Sequence, residues 1–220
     1  MTYMFSNTTV SNDLNLTDFQ TTNVTGMNAM LKGTSLTNLD LSGWDVTQVT
    51  NCNSMLSNNN ELRTLNLANW DTASVTSNSS MFTGNSKLWQ ITLGEKIKFS
   101  GTLGFVAAPA ANTEFTDNGQ NYMVTTPSWQ AVGSGTGHRP TGDLVTTTQM
   151  YADRTAPVTY VWAQAPTFVE VSNVEFGTLS ASSFSNGQSP LAINGDTGIV
   201  KIINLSPSFN YDVTVAQTGD

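Results

Sequence analysis

Apolar positions recur along the first ninety residues at a fixed spacing. The pair Leu39 and Leu41 returns 26 residues later as Leu65 and Leu67, and again as Ile91 and Leu93. At the same spacing Trp44 returns as Trp70, Val49 as Val75 and Met55 as Met81. The clearest copies read LDLSGWDVTQVTNCNSML and LNLANWDTASVTSNSSMF. An earlier copy holds Leu14, Leu16, Phe19, Val24, Thr25, Met27 and Met30, 25 residues ahead of the Leu39 copy, and Met4 and Phe5 are the tail of one before it. Within a copy the two leucines alternate with a polar residue, the period-two signal of a strand with one buried face. About 25 residues cannot enclose a core alone, but stacked copies can, each leucine resting on its counterpart in the next coil. The pattern therefore predicts a mainly β solenoid with a period of 25–26 residues, its coils at 14–38, 39–64 and 65–90. Each coil is expected to carry a short parallel strand at its leucine pair and a turn of helix near its methionines.

The same alignment predicts columns. Phe19, Trp44 and Trp70 form one, Val24, Val49 and Val75 another, and Val10, Leu36, Leu62 and Leu88 a third. Thr25, Thr50 and Thr76 form a polar row. The turn after the methionines carries Asn7, Gly33, Asn58 and Gly84, residue types that tolerate positive φ. Residues 91–106 keep one strand and then bring Glu95, Lys96 and Lys98, as expected of a polar cap that ends the stack. The solenoid with its cap is thus expected over 1–106.

Beyond it the repeat stops. Residues 107–165 are expected to form a small β-rich closing subdomain with Trp129, Tyr151, Tyr160 and Trp162 as its core. EFTDNGQNYMV within it reads as a hairpin turning at Asn118 and Gly119. Ala165 and Pro166 read as a linker. Residues 166–220 carry alternating or β-branched runs separated by Asn-Gly, Gly-Asp and Ser-Pro, which predicts a β-sandwich-like segment that is incomplete at Asp220.

Charge narrows the function classes. Only 11% of residues are charged and the net charge is −8, so the Lys/Arg footprint of a nucleic-acid or anionic-membrane binder is missing. Ser, Thr, Asn and Gly supply the solubility instead. No apolar run is long enough to insert into a membrane, and the single Cys52 leaves no intrachain disulfide. The first residues match the tail of a coil, so the chain is expected to be a piece of a longer protein.

Candidate chemistry is sparse. Cys52 stands in register with Met27 and Asn78, the place of a buried apolar replacement rather than a reactive thiol. His138 has no neighbours at metal-ligand spacing and is expected in an exposed loop. No nucleophile motif is visible, so no catalytic, cofactor or metal residue is assigned and the chain is read as a non-enzyme. Gln20, Asp45 and Asp71 form an acidic-polar column beside Trp44 and Trp70. These five are the candidate binding or ladder positions. As a site they would hold calcium or a sugar, with the indoles as stacking platforms. As ladder residues, each Asp would bond the backbone of its own turn and each Trp would be core.

The words LSGWDVTQVTNCNSML and LANWDTASVTSNSSMF resemble the BspA-like leucine-rich repeats of bacterial surface proteins. The resemblance covers roughly residues 1–94. It implies a right-handed leucine-rich-repeat-type solenoid in a secreted or wall-attached protein of a Gram-positive bacterium, with adhesion or ligand binding as the role. The order Trp129, Gly135, Pro140, Gly142, Met150, Tyr160, Trp162 resembles the segment that closes the array in lactobacillus-type surface proteins. From Val171 to Leu179 the chain resembles the opening of WxL domains, with Tyr211 to Val213 near the place of the first Trp-x-Leu motif. That likeness implies non-covalent attachment to the cell wall. The implied partners are a host glycoprotein, a polysaccharide or another surface protein, and peptidoglycan through a complete C-terminal domain. A second reading is a structural spacer with no ligand of its own, and a more distant one an accessory module of a carbohydrate-active enzyme.

Overall fold

The computed structural model describes residues 1–10, 16, 19–99, 101–151 and 154–166. The protein is mainly β, and no α-helix occurs among the described residues. Its strands are β1 (Asn38–Asp40), β2 (Thr64–Leu67), β3 (Gln90–Leu93), β4 (Glu114–Asp117), β5 (Gln120–Ala131), β6 (Leu144–Val145) and β7 (Val158–Pro166), with one 3-10 turn at Gln149–Tyr151. They make an open mixed sheet in the order β1-β2-β3-β7-β5-β4, with β6 on β5. Residues 1–114 and 123–165 form one compact unit. Residues 115–122, the tip of the β4–β5 hairpin, do not belong to that unit.

The repeat register is as the leucine spacing requires. Leu39 pairs with Leu65 and Leu65 with Ile91 in parallel strands, and Leu67 pairs with Leu93. All of these side chains are buried, as are Leu36, Leu62 and Leu88. Leu16 is buried too, whereas Leu14 lies outside the described residues, so the first expected strand is not among the elements.

The expected turn of helix at the methionines does not form. The amides of Met27, Ala29, Leu31 and Gly33 donate instead to the carbonyls of Asn51, Asn53, Met55 and Ser57 in the next coil. One coil further on, those of Cys52, Ser54, Leu56 and Asn58 donate to Ser77, Ser79, Met81 and Thr83. Every second amide thus leaves its own coil, where a helix would keep them all. The intervening amides close tight turns, Met30 onto Met27 and Lys32 onto Ala29. The alternation needs left-handed residues in register: Ala29, Ser54 and Ser80 at φ between 49° and 55°, then Gly33, Asn58 and Gly84 between 59° and 84°. Methionines three apart suit a helix and this double turn equally, so their spacing alone did not separate the two. Residues 1–7 add one more rung, with Tyr3, Phe5 and Asn7 donating to Asn28, Met30 and Lys32.

Buried polar groups bind the coils as well. The Asn59 side chain accepts from the amide and hydroxyl of Thr34 at 2.7 and 2.8 Å, and the Asn59 amide donates to the Asn85 side chain at 3.0 Å. Cys52 is fully buried, and desolvation pushes its thiol up to about 12. Thiolate is the reactive form. Cys52 is therefore expected to resist a maleimide or disulfide reagent at pH 8 in native protein and to react at once in denaturant. Rapid native labelling would contradict this packing.

At the C-terminal end the parallel stack turns antiparallel. β7 pairs with β3, Tyr160 against Ile91 and Thr159 against Thr92, and the two threonine hydroxyls lie 2.8 Å apart. β5 follows β7 in the sheet order. The segment expected to close the array, 107–165, joins the repeat sheet through the β3–β7 pairing. Trp129, Tyr160 and Trp162 are buried and Tyr151 is half-buried. The hairpin turn is at Asn118 and Gly119, both at positive φ. The β-sandwich-like segment with its likeness to a WxL domain lies outside the described residues.

Candidate functional site

Trp44 and Trp70 are 2% and 1% exposed. They sit inside because each closes the coil after its leucine pair, and each indole N–H finds a carbonyl one coil back. Trp44 donates to Leu16 at 2.9 Å and Trp70 to Leu41 at 2.8 Å. Phe19 stacks on Trp44 with ring centroids 6.2 Å apart. Neither tryptophan presents a face to a sugar. The column is core, and its polar handle is used within the stack.

The acidic residues following them also turn inward upon their own backbone. Asp45 accepts from the hydroxyl of Thr47 at 2.6 Å and from its amide at 3.0 Å. Those two bonds hold the carboxyl below its ordinary range. Asp71 accepts from the amide of Ala73 at 3.1 Å. These are Asx turns, one per coil. A parallel row runs beside the leucines. Burial pushes the Asp40 carboxyl up, but bonds from the Ser42 hydroxyl and amide and from Asn66 outweigh that, leaving it below its ordinary value. Gln20 is exposed. No group of three acidic, His or Cys side chains placed to hold a metal occurs among the described residues.

His138, expected in an exposed loop, is half-buried instead. Thr136 and Arg139 bond each other's backbones and fold the loop tip back. The imidazole then stacks on Trp89 at 4.5 Å with an interplanar angle of 23°, and its Nδ1 lies 3.0 Å from Oε1 of Gln164. The contact spans 26 and 49 residues of sequence, and nothing local announces it.

Most of the outer surface of the stack repeats, with Thr25, Thr50 and Thr76 exposed in one row. The hydroxyl of Thr50 donates to the Thr25 carbonyl and that of Thr76 to the Thr50 carbonyl, at 3.1 and 3.2 Å. The pattern breaks at the last coil. There a cleft of about 440 Å³ is lined by Asp71, Ala73, Glu95, Lys96, Lys98 and Arg154. Asp71 reaches it from the Asx turn, while Glu95, Lys96 and Lys98 come from the turn after β3. The Lys98 amide donates to the Thr72 hydroxyl at 2.7 Å, which fixes that turn. Arg154 arrives from the loop before β7. Its guanidinium donates to the carbonyls of Gly94 at 3.2 Å, Ile97 at 3.0 Å and Met150. Lys96 Nζ stands 3.8 Å from Asp71 Oδ2, a long pair whose lysine is 64% exposed and which contributes little to stability.

Residues 1–98, less than half of the chain, match a family model described as a Mycoplasma protein of unknown function, DUF285. No curated protein and no solved structure matches the chain. The matched stretch ends at Lys98, so it includes every repeat-related residue above and leaves Arg154 outside.

Sequence reasoning named Asp71 but missed the cleft around it. Lys96 and Lys98 stood out only as charge ending a neutral repeat. Arg154 gave no signal, because its partners lie 57 and 60 residues away. The Asn59 and Asn85 ladder was legible at the 26-residue spacing, but two asparagines in an Asn-rich chain do not stand out.

Proposed function

We propose that the chain is a non-catalytic cell-surface protein of a Gram-positive bacterium. In this reading the repeats form a right-handed solenoid of the leucine-rich-repeat type that acts as a scaffold. Recognition of a host glycoprotein, polysaccharide or other surface protein is concentrated where the periodic surface ends. Residues 166–220 begin a wall-binding domain that contacts peptidoglycan when complete. The observation that carries this reading is the contrast between the stack and its end. Along the coils, tryptophans are core and the Asp and Thr side chains bond within the stack, while the last coil gathers five charged side chains around an open cleft. A rigid repeat that uses its polar groups internally is suited to holding such a site away from a surface.

The test is a screen of the whole chain against glycan and host-protein arrays at physiological salt. Reproducible binding that saturates supports a recognition role. Binding to nothing on either array removes it and leaves the spacer reading, which the Ser, Thr and Asn character of the coil surface favours. A pulldown on purified peptidoglycan, comparing this chain with one extended past Asp220, checks the wall-binding part separately.

A further inference from the structure

We propose that the cleft at the last coil is a subsite for an acidic saccharide, a sugar that carries a carboxylate among its hydroxyls. This rests on the reading of the chain as a recognition module and names the ligand class of that cleft.

Three features select the chemistry. The first is charge. The whole chain holds 8 Lys and Arg against 16 Asp and Glu, yet among the described residues the cleft lining holds three cations and two carboxylates. A chain that is anionic elsewhere repels an acidic polymer, and this cleft is where such a polymer meets positive potential. Lys96 and Lys98 are both exposed, and the long Lys96–Asp71 pair can yield to a carboxylate ligand. The second feature is the pair of acceptors beside them. Asp71 is anchored through one oxygen by the Ala73 amide, while its other oxygen, Oδ2, faces Lys96. With Glu95 it offers acceptors for hydroxyl donors. An inorganic anion has no use for such acceptors and is repelled by them, whereas a hydroxylated acid uses cations and acceptors together. The third is the absence of an aromatic side chain among the described lining residues. A neutral sugar would find no stacking platform, so selectivity must come from charge and hydrogen bonding.

Size and rigidity agree. Ligand clefts hold roughly 300–1,000 Å³, and about 440 Å³ lies at the lower end, enough for one or two sugar rings. The floor is fixed before a ligand arrives. Thr72 bonds the Lys98 amide and Arg154 is held by backbone carbonyls, so little ordering cost remains beyond the two lysine side chains.

The experiment is calorimetric titration of the whole chain with tri-galacturonate, the neutral galactose trisaccharide and inorganic phosphate. It is repeated on the double variant Lys96→Ala/Lys98→Ala. Both lysines are exposed, so the variant should keep the parent melting temperature, which is checked first. Arg154 is left intact because it bonds the fold. The expected result is binding of tri-galacturonate that weakens roughly tenfold or more in the double variant and falls as salt rises. The neutral trisaccharide and phosphate should not bind measurably. Equal affinity for the acidic and neutral trisaccharides, phosphate competing as well as the sugar acid, unchanged binding by the double variant, or no binding of tri-galacturonate would each overturn the proposal. In all four cases an array hit on another ligand would leave the broader recognition role standing, so the two readings fail separately.

Discussion

Trp70→Ala is expected to bring the protein close to unfolding. Trp70 is 1% exposed in the middle of the stack, so its removal opens a large cavity with coils packed on both sides. Truncating a buried tryptophan costs about 3–5 kcal/mol. Its indole also donates to Leu41 at 2.8 Å; that carbonyl keeps the Trp44 amide, so losing the bond adds about 0.5–1.5 kcal/mol. Domains hold about 5–15 kcal/mol in all, so the variant should lose its cooperative urea transition or show it at much lower denaturant. Trp70→Phe separates the two contributions. It fills most of the volume and loses the hydrogen bond, and should cost about 1–2 kcal/mol. If Trp70→Ala melts within about 1 kcal/mol of the parent, the column is not the buried core described here.

The same residue shows what the sequence made legible. Trp44 and Trp70 at a spacing of 26, each following a leucine pair, placed the strand register and the leucine and tryptophan columns correctly from Leu36 to Leu93, while Val75 of the valine column is only half-buried. A stack repeats one local solution, so a residue's neighbours are its own copies and can be read by alignment. The Asx turns at Asp45 and Asp71 were legible for that reason too, since their partners lie two residues ahead. The turn at the methionines was not. Its conformation depends on where each amide goes, and Met27, Ala29 and Leu31 send theirs into the next coil. A left-handed Ala29 or Ser54 has no sequence signature, unlike Gly33 or Gly84. Least legible was the end of the stack. His138 on Trp89, Thr159 on Thr92 and Arg154 on Gly94 all join segments with no repeat between them. The cleft is built from such a junction, which is why five in-register candidates, Gln20, Asp45, Asp71, Trp44 and Trp70, yielded only one of its lining residues.

That junction makes Arg154 the second residue whose loss should be costly. Inside the stack, a carbonyl in register with Gly94 is met by a side chain of the next coil, Ser42 by the Asn69 side chain at 3.2 Å. After the last coil no further copy supplies donors. Arg154 takes that place, its planar fork reaching Gly94 and Ile97 at once and Met150 in its own loop. A guanidinium suits this because it brings several donors in fixed geometry, which an ammonium cannot match. Gly94 has no freedom to compensate by shifting inward, since a Cβ built there would fall 2.1 Å from the Ala68 carbonyl oxygen. Arg154→Met keeps the apolar stem and deletes the donors. It is expected to cost about 1.5–3 kcal/mol, the range for hydrogen bonds from a charged group. The loss should be local before it is global. Amide exchange should speed first at Ile97, whose amide bonds the Gly94 carbonyl, and at Lys98. The rung at Met27 to Gly33 should keep parent protection until the whole stack opens. Arg154→Lys should recover only part of the difference, because one ammonium cannot span the Gly94 and Ile97 carbonyls as the fork does. An unfolding free energy for Arg154→Met within about 0.5 kcal/mol of the parent, or exchange that rises equally at both ends, would show that β7 and its strand pairing hold the end of the stack without this cap.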